Sequence, residues 1–68
     1  MRYYRLYFMN SRNGHIERFA EFEAPTDDAA EALAAEHEGA QPLELWCLHR
    51  KVRRFDPAFL TARPALRS

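Results

Sequence analysis

The sequence predicts a small α+β fold with element order ββαββ: a four-stranded antiparallel sheet of strand order 2-1-3-4 with one helix on one face. Three observations lead to it. An alanine-rich stretch at 25–39 has the composition and the end signals of a helix. Two strand-like segments precede it, and two shorter ones follow it. The length of 68 residues allows one domain, which we place at 1–56, with a loose tail at 57–68.

The first two strands are predicted to form a hairpin. The run YYRLYFM at 3–9 is the most aromatic part of the chain, and the next five residues have turn chemistry that ends in Asn13-Gly14. From 15 to 24 apolar and polar residues alternate, as they do in a strand with one buried face. Arg18 interrupts the apolar side, which marks a position for a β-bulge or a strand end.

The helix is expected to act as a lid on the sheet. Thr26 is the predicted N-cap, Asp27 and Asp28 place negative charge at the positive end of the helix dipole, and Gly39 is the predicted left-handed stop. We expect about thirteen helical residues. Leu33 is the one large apolar side chain of its stripe, so the helix needs a much more hydrophobic sheet beneath it.

The third and fourth strands are predicted at 42–48 and 51–55, with His49-Arg50 left for the turn. A right-handed crossover through the helix places the third strand beside the first, on the side away from the second. The most apolar strand then lies in the centre of the sheet. The two most charged strands lie at its edges, where charge opposes unwanted pairing.

Alternation along each strand assigns side chains to the two faces. Ile16 and Val52 fall on the face given to the helix. Five large residues between the sheet and the helix should be nearly inaccessible: Leu6, Phe8, Phe22, Leu33 and Leu45.

The opposite face is predicted to carry more aromatic surface than a monomer usually exposes. We therefore expect a homodimer joined through this face, because a chain this short buries a small core and a second copy would enlarge it. The acidic second strand of one copy would then approach the basic fourth strand of the other. The candidate interface residues are Tyr3, Arg5, Tyr7, Phe19, Trp46 and Phe55.

A basic segment gives the alternative function. The net charge is zero, but 15–44 carries nine acidic residues against Arg18, whereas 45–68 carries six basic residues against Asp56. Basic side chains beside exposed rings can bind phosphates and stack on bases, so the alternative is a small protein that binds single-stranded nucleic acid. The candidate basic patch is Arg50, Lys51, Arg53 and Arg54. A solvated edge strand explains the same residues.

Catalytic and metal-binding signals are weak. Cys47 and His49 have the alternate spacing of a nucleophile and a base, but no third group is evident, and a lone cysteine is more often a small core residue. The three histidines are spread over separate elements, which is poor spacing for zinc. We therefore expect no enzyme activity, no cofactor and no small-molecule substrate. One cysteine and the lack of a signal peptide or an apolar span lead us to expect a cytoplasmic protein without membrane contact.

Several motifs resemble a family of short uncharacterised bacterial proteins. They are YRLYFM, a turn that ends in GHI, EFEA before DDAAEA, and ELWC-x-HRKVRRF, and together they cover 3–55. Members of that family more often carry glycine where this chain has Leu48, which puts a tight turn after the third strand in question. The resemblance implies no activity, because the family has none assigned, and no functional residue is carried over from it.

Overall fold

The computed structural model describes residues 1–57. The strands form one antiparallel sheet in the order β2-β1-β3-β4, and the helix packs on one of its faces. This confirms the predicted fold class and strand order. The elements are β1 (Arg2–Met9), β2 (Ile16–Ala24), α1 (Asp27–Ala35), β3 (Leu43–Cys47) and β4 (Arg50–Phe55). Pro57, which we assigned to the tail, is buried, and the rest of the predicted tail lies outside the described residues.

The β1–β2 turn is held by its own polar groups. The Asn10 side-chain oxygen accepts hydrogen bonds from the backbone N–H groups of Arg12 and Asn13, at 2.8 and 3.1 Å. Gly14 has a φ of 75°, and its N–H donates to the carbonyl oxygen of Asn10 at 2.9 Å. Asparagine side chains and a glycine at positive φ are what such a turn requires.

A bulge in β2 separates Ile16 from the core. The β1–β2 pairing steps from Phe8–Arg18 to Met9–Ile16, so Glu17 has no opposite residue. The irregularity predicted near Arg18 is therefore present, but it moves Ile16 to the face without the helix, which contradicts its predicted position. Arg18 remains on the helix side, where its guanidinium carbon lies 3.7 Å from the centroid of the Phe8 ring.

A second bulge, in β4, reverses the prediction for Phe55. The β3–β4 pairing skips Val52, and beyond it Phe55 pairs with the core residue Leu43. Phe55 is therefore 4% exposed on the helix side. Our assignment of Phe55 to the opposite face is wrong because an extra residue changes the alternation of every later side chain in a strand.

The core lies between the helix and the inner face of the sheet. Leu6, Phe8 and Leu45 are buried as predicted. Phe22 is half-buried, and Leu33 is 43% exposed, so both differ from the prediction. The buried hydrophobic set is Tyr4, Leu6, Phe8, Ala24, Ala30, Ala34, Leu43, Leu45 and Phe55.

Small residues form the buried side of the helix. Ala30 and Ala34 are fully buried one turn apart, so the contact stripe is centred on them rather than on Leu33. Alanines occur on every side of this helix, and the sequence therefore leaves its rotation ambiguous. The backbone N–H of Ala29 donates to the hydroxyl of Thr26 at 3.1 Å, which confirms the predicted N-cap.

The helix is shorter than predicted. It has nine residues, about 13 Å of length, and the segment after it continues with tighter bonds, such as that from the His37 N–H to the Ala34 carbonyl oxygen at 2.9 Å. These i→i+3 bonds use the free carbonyls of the last turn. Gly39 does not have a positive φ, so the predicted left-handed stop is wrong.

Asp27 ties the start of the helix to the sheet. It accepts a 2.6 Å hydrogen bond from the Tyr4 hydroxyl and pairs with the Arg50 guanidinium at 3.0 Å. The bonds from Arg50 and Tyr4 hold the pKa of Asp27 below its ordinary value. Burial, followed by the bond to Asp27, raises the pKa of Tyr4. Tyr4 is thus a core residue whose one polar atom has a partner.

The β3–β4 turn consists of Leu48 and His49, one residue earlier than predicted. Cys47 pairs with Arg50, so two residues connect the strands. Leu48 has a φ of 56° and is the one non-glycine residue with positive φ among residues 1–57. Its side chain is 75% exposed. The tight turn is therefore formed with leucine in a conformation that favours glycine.

We predict that Leu48→Gly stabilises the fold. A left-handed conformation costs an L-residue about 1–2 kcal/mol, and the greater freedom of glycine in the unfolded chain cancels about 0.5–1 kcal/mol of that gain. Urea unfolding of dilute protein should show a rise in unfolding free energy of up to about 1 kcal/mol. His49→Gly is the control, because His49 lacks the positive φ, and it should be neutral or destabilising. Equal losses in both variants would contradict the argument.

We predict that Asp27 contributes to acid sensitivity. Its pKa is lower in the folded protein than the ordinary 3.8, so its stabilisation is present above that value and is lost as the pH falls through the folded pKa. Asp27→Asn should lower the Tm at neutral pH, and the gap to the parent should narrow as the pH falls below about 4. Asp28→Asn, at the same helix end, should show a much smaller gap. A gap for Asp27→Asn that stays constant down to about pH 2 would contradict this role.

Candidate interaction surface

The sheet face opposite the helix, here called the open face, is organised in two rows that cross all four strands. Alternation and register place four side chains in each row. The Arg5 row consists of Glu21, Arg5, Trp46 and Lys51, and the Tyr7 row consists of Phe19, Tyr7, Glu44 and Arg54. Tyr3 beside Glu23, and Met9 beside Ile16, lie on the two sides of these rows.

The Arg5 row has an ion pair at one end and a lysine near an aromatic ring at the other. Arg5 pairs with Glu21 on the neighbouring strand, and its guanidinium carbon lies 4.5 Å from the centroid of the Phe19 ring. Hydrogen bonds from Tyr3 and then Arg5 lower the pKa of Glu21. At the other end of the row, the Lys51 ammonium lies 5.9 Å from the Trp46 ring centroid.

The Tyr7 row has rings at one end and charges at the other. The ring centroids of Tyr7 and Phe19 are 6.1 Å apart, and Tyr7 also meets Trp46 of the other row edge-to-face at 6.4 Å. Such aromatic pairs stabilise a sheet face beyond the area they bury. They form a connected aromatic centre that stays partly exposed to solvent.

Glu44 is the carboxylate to which the cations at the charged end of the Tyr7 row bind. Arg54 donates to its carboxylate at 2.9 Å, the Trp46 indole N–H donates at 3.2 Å, and Lys51 lies 3.5 Å away. Partial burial acts to raise the pKa of Glu44, but the bonds from these donors outweigh it, and the pKa lies below its ordinary value. Glu44 is not among the residues predicted from the sequence, although its alternation with Trp46 in LELWC places both on one face.

A shallow depression of about 310 Å³ lies on the open face. Two of the apolar side chains around it are notably exposed, Leu48 at 75% and Ile16 at 53%, and Trp46 is half-buried. The residues that line the depression are Tyr7, Ile16, Glu44, Trp46, Leu48 and His49. The open face is therefore not flat, and it offers a shallow depression lined by apolar side chains together with Glu44 and His49.

The structure brings most of the predicted interface residues together. Tyr3, Arg5, Tyr7, Phe19 and Trp46 all lie on the open face. Phe55 does not, because it is buried under the helix. Ile16 takes part instead, and the bulge that places it there was indicated by Arg18 alone.

The predicted basic patch is divided between the two faces. Arg50 pairs with Asp27 at 3.0 Å and Arg53 with Glu31 at 3.1 Å, both on the helix side. On the open face, Arg54 pairs with Glu44 at 2.9 Å and with Asp56 at 3.1 Å, and Lys51 pairs with Glu44. Phosphate groups would have to compete with a carboxylate at every one of these four cations.

The structure separates the thiol and the imidazole that the sequence placed two residues apart. Cys47 packs against the core on the helix side, whereas His49 lines the depression on the open face. The reason is the turn at Leu48, which ends the strand alternation before His49. Within residues 1–57, no group of three or more His, Cys, Asp or Glu side chains is arranged to hold a metal ion.

Comparisons with protein families, with curated proteins and with solved structures gave no match for this chain. In the described part, the helix is neither long nor apolar enough to cross a membrane.

We predict weak and non-specific binding to single-stranded nucleic acid. The four basic side chains are already paired and face two directions, so a titration followed by fluorescence anisotropy should give a Kd no tighter than about 10⁻⁴–10⁻⁶ M at physiological salt. The variant with Arg53→Ala and Arg54→Ala should then differ little from the parent. A nanomolar Kd that weakens steeply with salt, with a shallower slope in that variant, would instead support the alternative function.

Proposed function

We propose that this protein is a small non-enzymatic interaction module that self-associates as a homodimer through its open face. The observation that carries the proposal is the connected aromatic centre of that face. Tyr7, Phe19 and Trp46 are in ring contact, and no described element covers them. Arg5 lies among these rings, and aromatic residues with arginine are the residues enriched in the cores of protein interfaces.

A second copy supplies a cover for the open face, which the helix does not contact. The helix covers one side of the sheet, and within residues 1–57 the rings of the other side stay exposed to water. A two-fold pairing covers the same surface on both copies and gives a short chain a second core. Four strand axes span about 14 Å. The area buried by both copies is therefore at the lower end of interface sizes, about 1,200 Å² in total, which favours a reversible dimer with a micromolar Kd.

The exposure and backbone conformation of Leu48 are a second, independent argument for association through the open face. It is 75% exposed and adopts a strained φ of 56°, while it lines the depression on the open face. A position that favours glycine on conformational grounds is thus occupied by a large apolar side chain. Strain of this kind is commonly retained where a side chain has a use outside the fold. Contact with the second copy would give Leu48 that use.

We predict that substitutions on the open face prevent association. Light scattering across a concentration series up to about 1 mM should show a dimer for the parent. Trp46→Glu should raise the Kd at least about 30-fold, because the loss of a large ring at an interface centre costs about 2 kcal/mol or more. Phe19→Glu is a second variant, chosen because Phe19 is half-exposed on an edge strand and tolerates a polar group more readily.

The matched control is Leu33→Glu. Leu33 is 43% exposed on the helix, so the same chemical change is made on the other layer, and this variant should dimerise like the parent. Circular dichroism establishes that each variant is folded. A parent that stays monomeric over the whole series would overturn the proposal, and so would two open-face variants that dimerise like the parent. In either case Phe59 and Leu60, which lie outside the described residues, become the candidate cover.

A further inference from the structure

We infer that the two sheets of the homodimer face each other about a two-fold axis parallel to the strands, so that β2 of one copy lies over β4 of the other. The inference rests on the proposed self-association and adds its geometry. The order of side chains in both rows is complementary when the axis is parallel to the strands. The same order places like charges opposite each other when the axis lies in the plane and is perpendicular to the strands. The partner is thus a second copy in one defined orientation.

An axis parallel to the strands, midway between β1 and β3, reverses the order of strands but keeps the level along them. Each row then faces its own reversed copy. In the Arg5 row, Glu21 faces Lys51 of the second copy, and Arg5 faces the ring of Trp46. An acid thus meets a base, and a guanidinium meets the residue type that binds cations best among aromatic side chains.

The Tyr7 row is complementary in the same way. Phe19 faces the guanidinium of Arg54 in the second copy, and the Tyr7 hydroxyl faces the carboxylate of Glu44. Each pair occurs twice because the two-fold axis repeats it. Every one of the four pairings in the two rows therefore joins a cation with a ring, a cation with an anion, or a hydroxyl donor with an anion.

An in-plane axis perpendicular to the strands gives a different result. It places each strand over its own copy, so that β2 lies over β2 and β4 over β4. If the axis lies between the rows, Lys51 faces Arg54. If it passes through the Arg5 row, Lys51 faces Lys51 and Glu21 faces Glu21. Like charges opposite each other at a rim disfavour an orientation.

Sheet twist keeps β2 over β4 and leaves the central pairs in place. Packed sheets rotate by about 30° relative to each other. The central strands lie about 2.4 Å from the axis and move by about 1 Å, so Arg5 still faces Trp46, and Tyr7 still faces Glu44. An edge strand lies about 7 Å from the axis and moves by about 4 Å, roughly half of the 7 Å between successive side chains on one face. A side chain of β2 therefore stays within reach of its counterpart in β4, where both open-face residues of the two rows, Lys51 and Arg54, are cations. The strand order also keeps β2 and β4 at opposite edges of one sheet, so any short link between them joins two copies.

Cross-linking of single-cysteine variants tests the orientation. Glu21→Cys and Lys51→Cys are made separately in the full chain with Cys47→Ala, mixed after subunit exchange, and treated with a short bismaleimide. The sheets are about 10 Å apart, so positions 21 and 51 of different copies are within reach, whereas two copies of position 21 are about 17 Å apart. We expect covalent dimer from the mixture and little from either variant alone, with mass spectrometry locating the link.

A second pair, Phe19→Cys with Arg54→Cys, should give the same result. Glu31→Cys mixed with Lys51→Cys is the negative control, since Glu31 lies on the helix. If light scattering shows dimers while each variant links to itself, or while no mixture links, the orientation is wrong and the self-association stands. If light scattering shows monomers throughout, the self-association itself is wrong, and the orientation with it.

Discussion

The structure depends on one constraint: β1, a central strand, carries large rings or apolar side chains on both faces, while the described residues supply a cover for one. Leu6 and Phe8 point to the helix and are buried, whereas Tyr7 on the opposite face contacts two further rings. A strand buried on both sides normally requires a layer on each side. In the described part of this chain, a single short helix provides one layer. The arrangement of the open face and the case for a second copy both follow from this imbalance.

The helix can be short and poor in large residues because the sheet supplies the large side chains of the core. Ala30 and Ala34 are fully buried, and with methyl side chains at the contact the large residues of the sheet supply most of the buried apolar area. Asp27 completes the attachment through Tyr4 and Arg50. The basic strand β4 is therefore partly used to hold the helix. That use explains why its cations do not form one continuous surface for a polyanion.

Strand order was predictable from the sequence because chirality and edge charge leave few alternatives. Face assignment by alternation holds for β1 and β3 but fails at the far side of each bulge, where Ile16 and Phe55 exchange faces relative to expectation. A bulge changes local pairing without a strong sequence signature, and Arg18 gave the one hint. The rotation of the helix was ambiguous because alanine occupies several sides of it. Five of the six candidate interface residues lie on β1, on β3 or on the part of β2 that the bulge does not affect, so alternation placed them on the correct face.

In the proposed homodimer, the charges of the open face act as orienting groups rather than as the source of affinity. Glu21 and Glu44 already have cationic partners within their own chain, so the isolated copy keeps no strongly unbalanced charge there. Ion pairs at a protein surface contribute little stability, and charged pairs at a rim affect orientation more than they affect affinity. The rings supply the area to be buried, and the reversed order of charges across the rows distinguishes one orientation from the other. An association built in this way is reversible, because both the single chain and the pair leave each charge with a partner.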